Sequence, residues 1–416
     1  GNTLFLRTNW KAPNHRILAV DLANPARDRW REVVREGEHA IEGWSLVGGR
    51  LLVNYIINVV AQVYLIAPDG KVLGPVPVGE ACAVRGINGR WSGADAYLSY
   101  ESFNQPPRTL RLNAANNDTE LWWSSGAPFR GEDYEVKQVW YPSKDGARVP
   151  MFICHRRGLK LDGNNPVYLT GYGGFALNRV PRFSVAAALW MENGGVWVEP
   201  SLRGGSEFGE SWHQAGMLAH KQNTFDDFIA AAEWLIAKRY TSKDRLAIAG
   251  GSNGGLLVGA ALTQRPDLFR AVICSAPLLD MVRYHRFLVA RFWVPEYGSS
   301  EDSAQFQTLL AYSPYHRVRI GASYPAVMLV SGDSDTRVDP LHARKMAALL
   351  QSANGSDRPV LLHYDTQSGH SGGKPMSRQI EDDSDTMQFL FWQLGMTPRD
   401  GAPPPLPPSR EPRSSE

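Results

Sequence analysis

The rhythm of hydrophobic and polar positions changes twice along this chain. Over the first third, short extended runs come in pairs across polar loops. Leu4-Phe5-Leu6-Arg7-Thr8 is followed by Arg16-Ile17-Leu18-Ala19-Val20-Asp21, Leu51-Leu52-Val53-Asn54-Tyr55 by Val63-Tyr64-Leu65-Ile66, and Ala96-Tyr97-Leu98-Ser99-Tyr100 by Thr109-Leu110-Arg111-Leu112. The two-strand unit recurs about every 46 residues, a period that suits the blades of a β-propeller. The alternative is a generic antiparallel β-domain. Two to three units do not close a ring, since propellers have roughly four to eight blades.

From about Glu132 short apolar runs alternate with helical ones. Strands are expected at Val167-Tyr168-Leu169, Val196-Trp197-Val198, Leu246-Ala247-Ile248, Ala271-Val272-Ile273, Val327-Met328-Leu329-Val330 and Val360-Leu361-Leu362. A helix is expected from Phe225 to Lys238, with Phe225, Phe228, Ile229, Ala232, Leu235 and Ile236 on one face, Thr224 as N-cap and Asp227 three residues on. Such alternation argues for a parallel sheet covered on both faces. From about Arg399 the chain is rich in Pro, Ser and Arg and reads as a disordered tail. The division expected is 1–130 for the β-unit, 131–398 for the α/β unit and 399–416 for the tail.

Composition narrows the classes. The 416 residues have room for two domains, and the formal charge of +2 with no long basic run gives no sign of a nucleic-acid groove. No apolar run approaches the roughly 18 residues of a membrane span. Cys82, Cys154 and Cys274 are scattered and odd in number, without ligand spacing, which favours a reducing, cytoplasmic setting. The chain starts at Gly1 without a methionine and enters a strand-like run at once, as a fragment would, which leaves a periplasmic or secreted setting as the alternative. Metal and nucleotide motifs are missing from the sequence, so neither metal nor cofactor is expected.

The chemistry gathers around Gly250-Gly251-Ser252-Asn253-Gly254-Gly255. This Gly-x-Ser-x-Gly lies between the strand at Leu246 and a helical run from Leu256 to Thr263, the context of a nucleophile elbow. A serine hydroxyl needs a base, and the base an orienting carboxylate, in the chain order Ser, Asp, His for α/β-hydrolases. After the strand at Val327 come Asp333 and Asp335, between which spacing does not choose. After the strand at Val360 comes Gly369-His370-Ser371-Gly372-Gly373, where His370 sits in a small-residue loop. The remaining histidines lie in strands, in helical or aromatic contexts, or before Ser252. Asp382, Asp383 and Asp385 read as a solvated helix start.

With these groups in order, the chain resembles the prolyl oligopeptidase family. The motifs are Gly171-Tyr172-Gly173-Gly174-Phe175, Leu202-Arg203-Gly204-Gly205-Ser206-Glu207-Phe208-Gly209, Lys221-Gln222-Asn223-Thr224-Phe225-Asp226-Asp227-Phe228, the elbow itself, Gln264-Arg265-Pro266-Asp267-Leu268-Phe269 and Gly369-His370-Ser371-Gly372-Gly373-Lys374-Pro375. The resemblance covers about Gly1 to Met396. It implies an α/β-hydrolase preceded by the last blades of a seven-bladed propeller, with earlier blades absent from this sequence. It implies Ser252 as nucleophile, His370 as base and Asp335, with Arg337 two residues on, as the carboxylate. It implies an oxyanion hole of the Asn253 N–H and the Tyr172 hydroxyl, Arg337 as donor to a substrate carbonyl, and a proline pocket of Trp293, Phe175, Tyr297 and Val338. Ser206 departs from the family, which usually has a third glycine there.

The implied activity is serine-type endopeptidase cleavage of short peptides after proline by a monomer, with no nucleic-acid or membrane partner. An aromatic pocket suits a proline ring, which is flat, apolar and lacks a donor. The alternatives are an oligopeptidase B-like enzyme, an acyl-peptide hydrolase or esterase on the same scaffold, or an inactive fragment.

Overall fold

The computed structural model describes residues 2–370 and 375–399. The tail from 400 onward and residues 371–374 of the histidine motif lie outside the described residues; Arg399 donates its N–H to Asn193 Oδ1 at 2.8 Å.

Three antiparallel sheets fill the first third. The first holds β1 (Thr3–Thr8), β2 (Arg16–Asp21) and β3 (Arg31–Val34). The second is a meander of β4 (Ala40–Val47), β5 (Arg50–Ile57), β6 (Val60–Ile66) and β7 (Val72–Val76). The third repeats that order with β8 (Ala83–Gly89), β9 (Asp95–Ser102), β10 (Gln105–Asn113) and β11 (Asp118–Ser124). The repeat unit is thus four strands in the two complete sheets, not two. In the two four-stranded sheets the expected pairs are the inner strands. The added strands alternate poorly: β8 carries two glycines, β7 a proline, and β11 is almost wholly exposed.

The α/β unit is built on one sheet of eight strands, in the order β12-β13-β15-β14-β16-β17-β18-β19. β12 (Tyr134–Pro142) and β13 (Arg148–Arg156), which the sequence reading did not anticipate, form an antiparallel pair, and β13 joins β15 antiparallel. The rest run parallel: β14 (Val167–Thr170), β15 (Val196–Pro200), β16 (Leu246–Gly251), β17 (Ala271–Ser275), β18 (Ala326–Gly332) and β19 (Val360–Asp365). All six strands expected in this unit are present.

Helices cover both faces. One core joins Phe225, Phe228 and Leu235 of helix Lys221–Ala237 to Leu256 and Leu257 of helix Asn253–Gln264. The other joins Trp190 to Leu390 and Phe391 of helix Met376–Leu394, and extends into the blades through Ile56, Val59 and Phe103. The Phe103 and Phe152 rings lie 5.5 Å apart across that seam.

Two local expectations are corrected. Helix Lys221–Ala237 begins before Thr224, which lies buried inside it and donates its hydroxyl to Arg203 O at 2.8 Å. Asp227 accepts from the buried Arg203 guanidinium rather than capping. Asp382, Asp383 and Asp385 fall within helix Met376–Leu394, not at its start; Asp385 Oδ2 lies 3.1 Å from His363 Nε2.

Candidate active site

Parallel strand order determines where the candidate groups stand. Ser252 follows β16, Asp335 follows β18 and His370 follows β19, so all three hang from carboxyl ends on one edge of the sheet, where open α/β sheets form their sites. Between them the end of β17 fixes the elbow: Ser252 N donates to Ser275 O at 2.9 Å.

Ser252 has φ 58° and ψ −119°, a conformation costing a serine on the order of 1–3 kcal/mol. Close packing imposes it. A Cβ on Gly250 would stand 2.1 Å from Gly254 O, and one on Gly254 would stand 2.8 Å from Gly171 O. Chain crossing at these distances is open only to glycine. The turn ends in the first residue of a helix, Asn253, whose N–H has no intrahelical acceptor.

Asp335 and His370 meet. Asp335 Oδ2 lies 2.8 Å from His370 Nδ1, and Asp335 Oδ1 accepts from the N–H groups of Arg337 and Val338 at 2.9 and 2.8 Å. Burial pushes this carboxyl up, but the His370 bond and the two N–H groups outweigh it and hold the group below its usual range. An acceptor at Nδ1 puts the proton there and leaves Nε2 as the basic nitrogen. Asp333 is exposed and accepts from the Tyr364 hydroxyl, so the geometry separates the two aspartates that spacing did not.

Tyr172 lies in the loop after β14. Burial raises its phenol, opposed by a hydrogen bond with Ser252 and by the charges of Arg337 and Arg179. The Asn253 side chain turns back to this loop, donating to Tyr172 O at 2.6 Å and accepting from the Tyr297 hydroxyl at 2.8 Å. The loop is strained at two non-glycine residues, with φ of 58° at Phe175 and 53° at Ala176.

The four pocket candidates are brought together in part. Phe175 and Tyr297 meet edge to face at 5.4 Å, and the Arg337 guanidinium lies 5.8 Å from the Trp293 ring centre. Tyr297 and Val338 are buried. Tyr297 therefore backs the Phe175 ring, and its hydroxyl faces Asn253.

Several supporting residues escaped the sequence reading. Glu296 Oε1 accepts from Phe175 N at 2.9 Å and its Oε2 lies 2.8 Å from His213 Nε2. The fully buried Lys221 donates to Gly173 O at 2.7 Å. Lys221 stands one helical turn before Phe225, on the apolar face, and that misplacement was the available signal. Glu207 is buried beside Arg179, accepting its N–H at 2.7 Å. Ser206 donates its hydroxyl to Ala176 O and to Asn178 Oδ1, both at 2.8 Å, and Asn178 in turn donates to Glu42 Oε2 of the blades at 2.8 Å. A cavity of about 500 Å³ opens at this seam, with Arg7, His15 and Glu42 on the blade side and Tyr172, Arg179 and Arg182 opposite. Among the described residues no cluster of His, Cys, Asp or Glu could hold a metal ion, and no helix is long and apolar enough to cross a membrane.

Known proteins share this fold and much of this sequence. The profile of the "Prolyl oligopeptidase family" matches residues 181–397, and that of the "Prolyl oligopeptidase, N-terminal beta-propeller domain" matches residues 1–125. The prolyl endopeptidase of Elizabethkingia meningoseptica is 37% identical over 397 residues, covering 95% of this chain and 56% of that protein. A solved structure from a mechanistic study of two prolyl endopeptidases superposes with a TM-score of 0.92 at 44% identity, over 95% of this chain and 59% of that one. Prolyl oligopeptidase B from Galerina marginata, bound to a 35mer hydrolysis and macrocyclization substrate, gives 0.91 at 30% identity, over 96% and 57%. The chain thus spans a little over half the length of these relatives. In the make-up of its blades, in its eight-stranded sheet and in sequence over nearly its whole length, this chain belongs to the prolyl oligopeptidase family.

Proposed function

We propose that this chain carries the catalytic machinery of a serine endopeptidase that hydrolyses short peptides on the carboxyl side of proline. The observation that carries the reading is the 2.8 Å contact of Asp335 Oδ2 with His370 Nδ1, on the same sheet edge as Ser252 in its strained elbow. Ser252 attacks the prolyl carbonyl while His370 Nε2 takes its proton. Asp335 holds the Nδ1–H and stabilises the imidazolium, and His370 returns the proton to the leaving amine. Water, activated by the same base, then releases the acyl group.

The developing oxyanion is met by the Asn253 N–H and the Tyr172 hydroxyl, donors each worth about 3 kcal/mol in such sites. Trp293 stacks on the proline ring, Phe175 closes the pocket over Tyr297, Val338 packs beneath, and Arg337 donates to a substrate carbonyl on the acyl side. Support for these roles comes from the Phe175–Tyr297 and Arg337–Trp293 contacts and from relatives named prolyl endopeptidase.

The test is release of a reporter from a blocked Gly-Pro substrate by the intact chain and by Ser252→Ala. Turnover confined to the intact chain is the expected result, and activity surviving in Ser252→Ala would sink the nucleophile. Preference for Arg or Lys over Pro, or ester turnover without proline preference, would replace the substrate class by one of the alternative hydrolases.

A further inference from the structure

The loop that carries Tyr172 and Phe175 holds two non-glycine residues at positive φ, so something outside it must hold it in place. Two buried charged side chains grip its backbone. Glu296 takes the N–H of Phe175 and Lys221 takes the carbonyl of Gly173, and the two charges lie 3.7 Å apart. His213 Nε2 completes the set on the other carboxylate oxygen.

Glu296 also occupies a telling place in the chain. The turn Val294–Tyr297 follows Trp293 directly and contains both Glu296 and Tyr297. One short turn therefore adjoins the aromatic face of the pocket, braces Asn253 through Tyr297, and braces Phe175 through Glu296.

We propose that Glu296 is a positioning residue which, with Lys221 and His213, ties the oxyanion loop to the aromatic pocket and sets the aim of the Tyr172 hydroxyl. This rests on Ser252 as nucleophile and Tyr172 as oxyanion donor. No atom of Glu296 need touch substrate; its effect passes through Phe175 N and Gly173 O.

The charges suit the role. Burial pushes the Glu296 carboxyl up, but the His213 bond, the Lys221 charge and the Phe175 N–H outweigh it and keep the group ionised. The bond to Glu296 raises His213. Burial brings Lys221 down to about 8, against the pull of Glu296. The groups facing this cluster are Glu210 beside His213, the Tyr297 ring 5.5 Å from Lys221, and the phenols of Tyr172 and Tyr312. Lys221 is thus charged at pH 7 and loses its proton as the pH passes about 8, which removes its ion pair with Glu296.

The experiment compares the intact chain with Glu296→Gln, Lys221→Met and their double variant. It reads kcat and KM on the blocked Gly-Pro reporter and the rate of Ser252 labelling by a fluorophosphonate, each from pH 6 to 9. Labelling needs the oxyanion hole but not the proline pocket, so it reads the positioning role even if the reporter is not a substrate. Expected are a fall of at least about 10-fold in kcat and labelling rate for Glu296→Gln, a change in KM under about 3-fold, and a decline above pH 8 in the intact chain that disappears in Lys221→Met. The double variant should be no worse than the worse single, as for groups acting as one unit. Rates within about 3-fold of the intact chain and an unchanged pH profile would overturn the proposal, as would an intact chain that neither turns over nor labels. Should Glu296→Gln lose its near-ultraviolet circular dichroism, His213→Gln gives the same reading from a less buried position. A several-fold fall in labelling supports the proposal and an unchanged rate overturns it.

Discussion

The Tyr297 hydroxyl donates to Asn253 Oδ1 at 2.8 Å, so the ring that backs Phe175 is bonded to the residue proposed as an oxyanion donor. Asn253 uses its amide in the other direction to hold Tyr172 O at 2.6 Å. Tyr297→Phe leaves the ring against Phe175 but removes the anchor. A loss of about 1 kcal/mol in stability is expected, with a several-fold fall in kcat and a smaller change in KM, measured by chemical denaturation and steady-state kinetics.

Asp333 and Asp335 are two residues apart and have opposite surroundings. Asp335→Asn takes the acceptor from His370 Nδ1, allows the wrong tautomer, and is expected to lower kcat on the order of 10⁴-fold. Asp333→Asn loses only its exposed contact with Tyr364, and kcat should stay within about 2-fold. Equal losses in the two variants would refute the assignment. Because the folded-state carboxyl of Asp335 sits below its ordinary range, its share of stability is complete above that range and vanishes as the pH falls through the folded value. Unfolding titrations of Asp335→Asn should lack that acid dependence.

Glu207 behaves in the opposite sense. Burial pushes its carboxyl up to about 8, more than the Arg179 N–H can offset. Between its unfolded value and about 8 the folded state therefore binds the extra proton, and stability falls as the pH rises across that window. Glu207→Gln removes the penalty. It should gain on the order of 1–3 kcal/mol relative to the intact chain on going from pH 5 to pH 8, followed as Tm against pH. A pH-independent difference would show that Glu207 is ionised in the folded protein.

The Ser206 hydroxyl faces two acceptors, Ala176 O in the loop that carries Tyr172 and Asn178 Oδ1. Ser206→Gly should cost about 1 kcal/mol. Asn178→Ala, which also releases Glu42, should lower kcat several-fold while leaving the Asp335–His370 pair unchanged. The readouts are denaturation, kinetics, and the downfield proton resonance of His370 Nδ1–H.

Legibility tracked local pattern. The middle blade strands were readable from alternating apolar positions and the six parallel strands from short apolar runs, and the elbow because its glycines mark close chain crossings. β7, β8 and β11 were not, since tertiary pairing rather than side-chain alternation makes them strands. β13 was hidden by Pro150 within its run. The order Ser252, Asp335, His370 was legible, whereas the choice of Asp335 rested on a resemblance until the N–H groups of Arg337 and Val338 were seen to converge on it. Glu296 lies more than 70 residues from His213 and Lys221 and carries a charge that reads as surface; only folding buries it against them.

The link from Glu42 through Asn178 to Ser206 gives the site two unlike halves. The base side hangs from β18 and β19 and takes its support from neighbouring loops of the sheet. The acceptor side is strapped across the seam to the blades. A motion that draws the blades from the sheet would slacken the strap on the loop that carries Tyr172 and Ala176. Separation of the seam and loosening of that loop would then be one mechanical event.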